Sequence, residues 1–257
     1  NPIPKLNSST TPASICSGAT FNYSATSSTI NVLFDWERSY VAGINEALTN
    51  GSGNISEVLT NKTSNVLLVP YIYTLSANGC VNTAVSTVTV AAALLVDAGV
   101  NDTICPGGSI TLTGTGAVNY TWLPGSLSGA SINVSPGSTT TYTLNASDNN
   151  GCLGSDSVTI SVPPAMVLNA GGFAQSCSNI CDGSVVVLAN PTTGPFAVYQ
   201  YSWSGGVGNG PGGNNLCANT YSVTVTDLAG CVATATAQVT APAAVTAVLT
   251  SSTNVTC

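Results

Sequence analysis

Apolar and hydroxyl-bearing residues alternate through much of this chain, most cleanly in VSTVTV (85–90), DSVTISV (156–162) and ATAQVTA (235–241). A strand turns successive side chains to opposite faces, so a period of two predicts strands with one buried face. Each run follows the same phrase: an alternating stretch containing tyrosine, a short polar turn ending in glycine, then a cysteine. The three copies are IYTLSANGC (72–80), TYTLNASDNNGC (141–152) and TYSVTVTDLAGC (220–231). Upstream of each phrase lies an opening cysteine beside a turn, in ICSGATFNYSA, ICPGGSITLTG and CSNICDGSVVVLA. An aromatic-x-Trp triplet follows: Phe34-Asp35-Trp36, Tyr120-Thr121-Trp122 and Tyr201-Ser202-Trp203. In a strand the two aromatics of a triplet share a face.

This recurrence predicts an all-β chain: three tandem Ig-like β-sandwich domains, each disulfide-stapled, in an extended rod. The domains span residues 1–92, 93–164 and 165–242, and 243–257 reads as the start of a further, truncated repeat. The connectors AAA, PPA and APA are short, and two carry proline, which cannot continue a ladder and stiffens the joint. The pattern departs from antibody domains in one respect: the second cysteine follows a hairpin turn and starts the last strand. One stretch, SYVAGINEALTN (39–50), has Val41, Ile44 and Leu48 at helical spacing, but Gly43 and Asn50 weaken it. It predicts at most a turn or two of helix, inserted after the Trp strand as a cap packed on the sandwich edge, with a binding loop as the alternative.

Nine cysteines stand in a chain without histidine or CxxC pairs, a pattern that favours structural disulfides over a metal site and implies an oxidising compartment. Without crossing domains, the pairings are Cys16–Cys80 and Cys105–Cys152. The third unit has four cysteines. By analogy with the first two, Cys177–Cys231 is the common bridge and Cys181–Cys217 an added staple, the alternative being Cys177–Cys217 with Cys181–Cys231. Each sandwich is then an autonomous, covalently locked unit, an expectation that cystines between units would contradict. Cys257 is left without a partner.

Composition removes several classes of function. Charged residues are 5% of the chain, against roughly 25% in a typical soluble domain, and hydrophobic residues are 44%, enough to bury real cores. Lys5, Arg38 and Lys62 face ten acidic residues for a net charge of −7, which cannot neutralise a phosphate backbone, so nucleic acid is excluded as a partner. The longest apolar stretch, VTVAAALLV, is too short for membrane insertion as a helix. No signal-peptide pattern opens the sequence, which reads as a mature segment or internal fragment.

No catalytic machinery emerges. Without histidine there is no Ser-His-Asp or Cys-His constellation, and the acidic residues are scattered, mostly in turns where Asp is a turn-former. NGSGN and SGGVGNGPGGNN are Gly-rich, but neither joins a strand to a helix or precedes a phosphate-binding lysine. DNNGC and DTICPGG supply too few oxygen ligands for a calcium loop. The chain is therefore read as non-enzymatic, with no cofactor. The tryptophans are assigned to buried strand positions, a sugar-stacking platform being the alternative. Ten N-x-S/T triplets occur, one of them at Asn61.

The unit CSNICDGSVVV…YQYSWSGG…NLCANTYSVTVTDLAGC resembles the SprB-type repeat of Bacteroidota gliding-motility adhesins, including its four-cysteine variant. The middle unit, DAGVNDTICPGGSITLTGTG…YTWLPG…DSVTISV, resembles the Ig-like repeats of the same surface proteins. The first, with GNISEVLTNKTS and YTLSANGC, is similar to their PKD-like domains. The resemblance covers almost the whole chain. It implies a segment of a very large protein exported by the type IX system to the bacterial cell surface, acting as an adhesin or filament. Its implied partners are polysaccharide, another surface ligand or further copies of itself. Proteins of this kind are O-glycosylated at Asp-Ser/Thr-apolar triplets, which implies sugar at Thr103 (Asp102-Thr103-Ile104) and Ser157 (Asp156-Ser157-Val158). A competing reading is a spacer or carbohydrate-binding appendage of a secreted enzyme.

Overall fold

A computed structural model of the chain describes residues 3–191 and 194–248. Strands dominate these residues, joined by turns and, among the described residues, one 3-10 turn at Ser204–Gly206. The expected all-β fold of Ig-like two-sheet sandwiches is what the structure shows.

The first sandwich is built from β1 (Ala19–Tyr23), β2 (Leu33–Arg38), β3 (Thr49–Ser52), β4 (Ile55–Leu59), β5 (Leu67–Ala77) and β6 (Cys80–Val90). One sheet pairs β1 with β4, and the other runs β3-β2-β5-β6. The long β5–β6 hairpin turns on Asn78 and Gly79, both at positive φ (51° and 81°), the backbone that a two-residue Asn-Gly turn requires. The core between the sheets is rich in aromatics: Phe21, Tyr23, Tyr71 and Tyr73 pack with Ile55, Leu59, Val69, Leu75, Val88 and Val90.

The middle sandwich uses β7 (Asp102–Thr103), β8 (Ile110–Thr113), β9 (Asn119–Leu123), β10 (Leu127–Ser128), β11 (Ser131–Val134), β12 (Thr140–Ser147) and β13 (Leu153–Ser161). Its sheets are β8-β11 and β10-β9-β12-β13-β7, with β7 parallel to the end of β13. The third sandwich has β14 (Val167–Phe173), β15 (Gly183–Asn190), β16 (Gln200–Trp203), β17 (Gly212–Leu216), β18 (Asn219–Thr226) and β19 (Val232–Val239), in sheets β14-β15-β17 and β16-β18-β19. Its core gathers Val185, Val187, Trp203, Leu216, Tyr221, Val223, Val225 and Val239. By backbone proximity the described residues divide into two compact units, 3–99 with 111–132 and 142–158, and 100–110 with 133–141, 159–191 and 194–248. The dividing line passes through the middle sandwich.

The aromatic-x-Trp triplets behave as strand geometry demands. In each, both aromatics lie on the less exposed face and the residue between them is exposed. Trp122 is fully buried and Trp203 nearly so, and each indole donates its N–H to the carbonyl of the glycine seven residues on, Gly129 and Gly210, at 3.0 Å. Burial of a tryptophan is cheap only when that N–H finds an acceptor. Trp36 is half-buried, edge-on to Tyr71.

Residues 39–50 correct the expectation of a helical turn. No helix forms there. Gly43 sits at φ 95°, outside the right-handed helical region, and Ile44 makes a bridge to Asn61 instead. Val41 and Ile44 pack against the first core, so the segment is the edge cap, while Leu48 points to solvent. Asn61, expected as one of ten N-x-S/T triplets, is 1% exposed. Its amide donates to the carbonyls of Asn65, Val90 and Ala91.

Arg38, at the end of β2, is 1% exposed. Its Nε donates to both carboxylate oxygens of Glu57 (3.1 and 3.0 Å), its Nη2 donates to the Ala47 carbonyl, and the Tyr71 hydroxyl donates to the same carboxylate. Burial acts against the guanidinium charge, but the hydrogen bond and charge of Glu57 more than restore it, so the Arg38 pKa is raised. Removing one member of such a pair strands the other in a poorly solvated site. We predict that Arg38→Met lowers the unfolding free energy by about 3 kcal/mol in denaturant titration, whereas Lys62→Met, at an exposed position, leaves it within about 0.5 kcal/mol.

Candidate functional site

The cysteines form the chain's most distinctive arrangement, and each is placed by a recurring local structure. The opening cysteines sit in turns: the carbonyl of Cys16 accepts from the Ala19 N–H, that of Cys105 from Gly108 and that of Cys177 from Ile180, three residues on in every case. The segment before each turn, one residue ahead of Cys16 and Cys105 and two ahead of Cys177, is tied to the far end of the sandwich's final strand. The Ile15 N–H donates to Thr89 and the Ala91 N–H to Ile15, the Ile104 N–H donates to Ser161, and the Gln175 N–H donates to Thr240. Opening cysteines therefore lie at the end where the chain leaves its sandwich.

The hairpin cysteines lie at the other end, where the final strand begins. In DNNGC and DLAGC the corner is the same. The carboxylates of Asp148 and Asp227 accept from the N–H of Cys152 (2.9 Å) and Cys231 (2.8 Å), and Gly151 and Gly230 take φ of 80° and 82° to close the turn. Asp148 also accepts from the Asn150 N–H, so its carboxylate is spent on its own turn. Cys80 occupies the corresponding place at the tighter Asn-Gly turn.

This geometry overturns the expected pairing of Cys16 with Cys80, Cys105 with Cys152 and Cys177 with Cys231. The final strands are 11, 9 and 8 residues long, and at about 3.3 Å per residue they hold the two cysteines of one sandwich roughly 25–35 Å apart. A disulfide needs its α-carbons within about 7 Å. The bonds formed are Cys16–Cys152 and Cys105–Cys231, each with α-carbons 5.4 Å apart. Each joins the opening turn of one sandwich to the hairpin corner of the next. Cys181–Cys217 forms as expected within the third sandwich, because the pairing of Gly183 with Leu216 sets the two cysteines at the same end of adjacent strands. Cys80 is half-buried and free, Cys177 is exposed and free, and Cys257 lies outside the described residues.

The two joints interlace in sequence, since Cys105 falls inside the loop closed by Cys16–Cys152. Their separations of 136 and 126 residues correspond to roughly 5 kcal/mol each of loop-closure entropy in the chain-entropy account. That exceeds the contribution of Arg38–Glu57, the one ion pair among the described residues. Three disulfides among the described residues mark the chain as belonging to an oxidising, extracytoplasmic compartment. Among the described residues no helix is long and apolar enough to cross a membrane.

The remaining candidates take no part in the disulfides, although Thr103 stands two residues before Cys105. Ser157 is exposed on β13 and Thr103 is half-exposed on β7. Asp156, beside Ser157, accepts from the Ala98 N–H at 2.8 Å; this bond and that of the Ser157 N–H hold its carboxyl below the ordinary range. The Ser176 hydroxyl and N–H do the same for Asp182. Trp122 and Trp203 are buried and Trp36 is half-buried, so the three tryptophans form no stacking platform. Among the described residues no group of three metal-ligating side chains gathers.

No family model matches the chain, and no curated protein does. Solved structures similar to it include an E-to-A variant of titin domains I67–I69, at 11% identity and TM-score 0.41, covering 93% of this chain and 99% of that one. Extracellular domains 3–5 of Drosophila OTK match at 8% identity and TM-score 0.35, covering 91% and 94%. The insect immune protein hemolin matches at 11% and 0.33, covering 93% and 76%. No residue role passes from them to this chain.

Two outcomes follow from this geometry. In dilute oxidised protein, Cys16→Ser makes Cys152 newly reactive to alkylation; Cys80 is reactive with or without the substitution. Because the folded pKa values of Asp156 and Asp182 are depressed, their contribution to stability is complete above the unfolded carboxylate value of about 4 and is lost as pH falls through the folded values. The thermal midpoint should thus drop on acidification below about pH 4, less steeply in Asp156→Asn.

Proposed function

We propose that this chain is a non-enzymatic, load-bearing segment of a bacterial cell-surface adhesin or filament, of the gliding-motility type exported by the type IX route. The interlaced disulfides carry this reading. If the chain is pulled from its ends and every sandwich melts, the taut path runs to Cys16, crosses to Cys152, returns to Cys105 and crosses to Cys231. That is roughly a third of the backbone contour, because the intervening segments hang as slack loops. Extension is limited by covalent bonds after the hydrogen-bonded ladders have failed. Such a limit serves a molecule that transmits tension between a surface and a distant contact.

The surface is consistent with that task. Arg38 is consumed by Glu57 inside the first sandwich, leaving Lys5 and Lys62 as the exposed cations among the described residues. A face of Ser, Thr, Asn and Gly suits contact with neutral polysaccharide or with neighbouring copies, and Thr103 and Ser157 are accessible enough to carry sugar. Single-molecule stretching of the end-tethered chain tests the reading. The fully unravelled oxidised protein should reach about one-third the length of the reduced protein; equal lengths would refute it.

A further inference from the structure

Among the described residues, the two free cysteines, Cys80 and Cys177, hold the two positions that the joints leave open. The Cys177 turn repeats those of Cys16 and Cys105, with the same carbonyl-to-N–H bond three residues on and the same tie of the preceding segment to the end of the final strand. Cys80 starts its final strand beside a positive-φ glycine, as Cys152 and Cys231 follow theirs. Both formed joints take one cysteine of each kind, opening turn to hairpin corner. Among the described residues no hairpin corner follows the third sandwich, that of Cys177, and no opening turn precedes the sandwich of Cys80, so neither finds its complementary cysteine there. Both are accessible, one exposed and one half-buried. Their own pairing within one sandwich is ruled out because they belong to different ones, and Cys177–Cys231 is ruled out by the length of β19.

We infer that Cys177 and Cys80 are complementary halves of a further joint. Cys177 bonds the hairpin-corner cysteine of another sandwich of this build, and Cys80 bonds the opening-turn cysteine of another, so that disulfides continue the array beyond these three sandwiches. This extends the load-bearing reading and rests on it. A second copy of the chain offers both halves, giving head-to-tail linkage from Cys177 of one copy to Cys80 of the next.

The chemistry is thiol–disulfide exchange with a small-molecule disulfide or a disulfide oxidoreductase as oxidant. One cysteine thiolate attacks the oxidant disulfide, forming a mixed disulfide and releasing one thiolate. The second cysteine thiolate attacks the protein sulfur of that mixed disulfide and releases the other. Two protein thiols are oxidised to one disulfide, and the oxidant leaves as two thiols carrying the two protons and two electrons.

The test uses the chain with Cys257→Ser, oxidised by glutathione disulfide over a range of protein concentrations, blocked by alkylation and digested without reduction. The expected result is a Cys177–Cys80 peptide pair between copies, in excess over Cys177–Cys177 and Cys80–Cys80 beyond random pairing. A ladder of covalent oligomers should grow with concentration and vanish in Cys80→Ser and in Cys177→Ser. Homotypic pairs in statistical proportion, or both cysteines persisting as free or glutathione-capped thiols, would overturn the inference. The same digest reports Cys16–Cys152 and Cys105–Cys231: their loss would strike the load-bearing reading, whereas their presence without Cys177–Cys80 would strike this inference alone. In protein taken from its native surface, the peptide joined to Cys177 identifies the natural source. Either Cys80 or a different Gly-Cys corner supports the joint, and a free thiol overturns it.

Discussion

The length of one strand governs the covalent architecture of this chain. The last strand of each sandwich starts at a hairpin cysteine and ends beside the turn that carries the opening cysteine. Eight to eleven extended residues cannot be folded back, so the two sulfurs of a sandwich sit at opposite ends of it and are barred from each other. Each is free to meet the complementary sulfur of a neighbour. The hydrogen bonds that fix this are ordinary backbone bonds: Ile15 to Thr89, Ile104 to Ser161 and Gln175 to Thr240. They hold the opening turn at the outgoing end by backbone bonds that need no sulfur chemistry.

Much of the fold was legible in the sequence because its signals are local. Alternation marked the long strands, the Asn-Gly and Asp-x-x-Gly turns marked the corners, and the aromatic-x-Trp triplets marked strands whose tryptophans face inward. The helical spacing at Val41, Ile44 and Leu48 misled because three apolar positions fit an irregular cap as well as a helix. The bridge from Ile44 to Asn61, a contact remote in sequence, settled the matter. The cystine pattern was missed for a related reason. Sequence shows that Cys80, Cys152 and Cys231 begin strands, but not that the opening turns dock at those strands' far ends. The sequence carried half of the answer, an eight- to eleven-residue alternating run after each hairpin cysteine; the other half, the turn bound at the run's far end, is a contact remote in sequence.

The sandwich as a covalently self-sufficient unit therefore does not hold, although the sandwich as a packing unit does. The first and third have separate hydrophobic cores, one built on stacked and edge-on aromatics and the other on valines around Trp203. Packing supplies each fold and the disulfides supply continuity between folds, so a function that depends on transmitted tension gains support from the corrected pairing. Scarcity of charge fits the same division. With one buried ion pair among the described residues, their stability rests on packing and cross-links, neither of which salt screens.

The most direct test of this account is non-reducing peptide mapping of the oxidised chain, with thiols blocked before digestion to prevent exchange. The account predicts Cys16 joined to Cys152 and Cys105 joined to Cys231. Cys16 joined to Cys80, with Cys105 joined to Cys152, would contradict it.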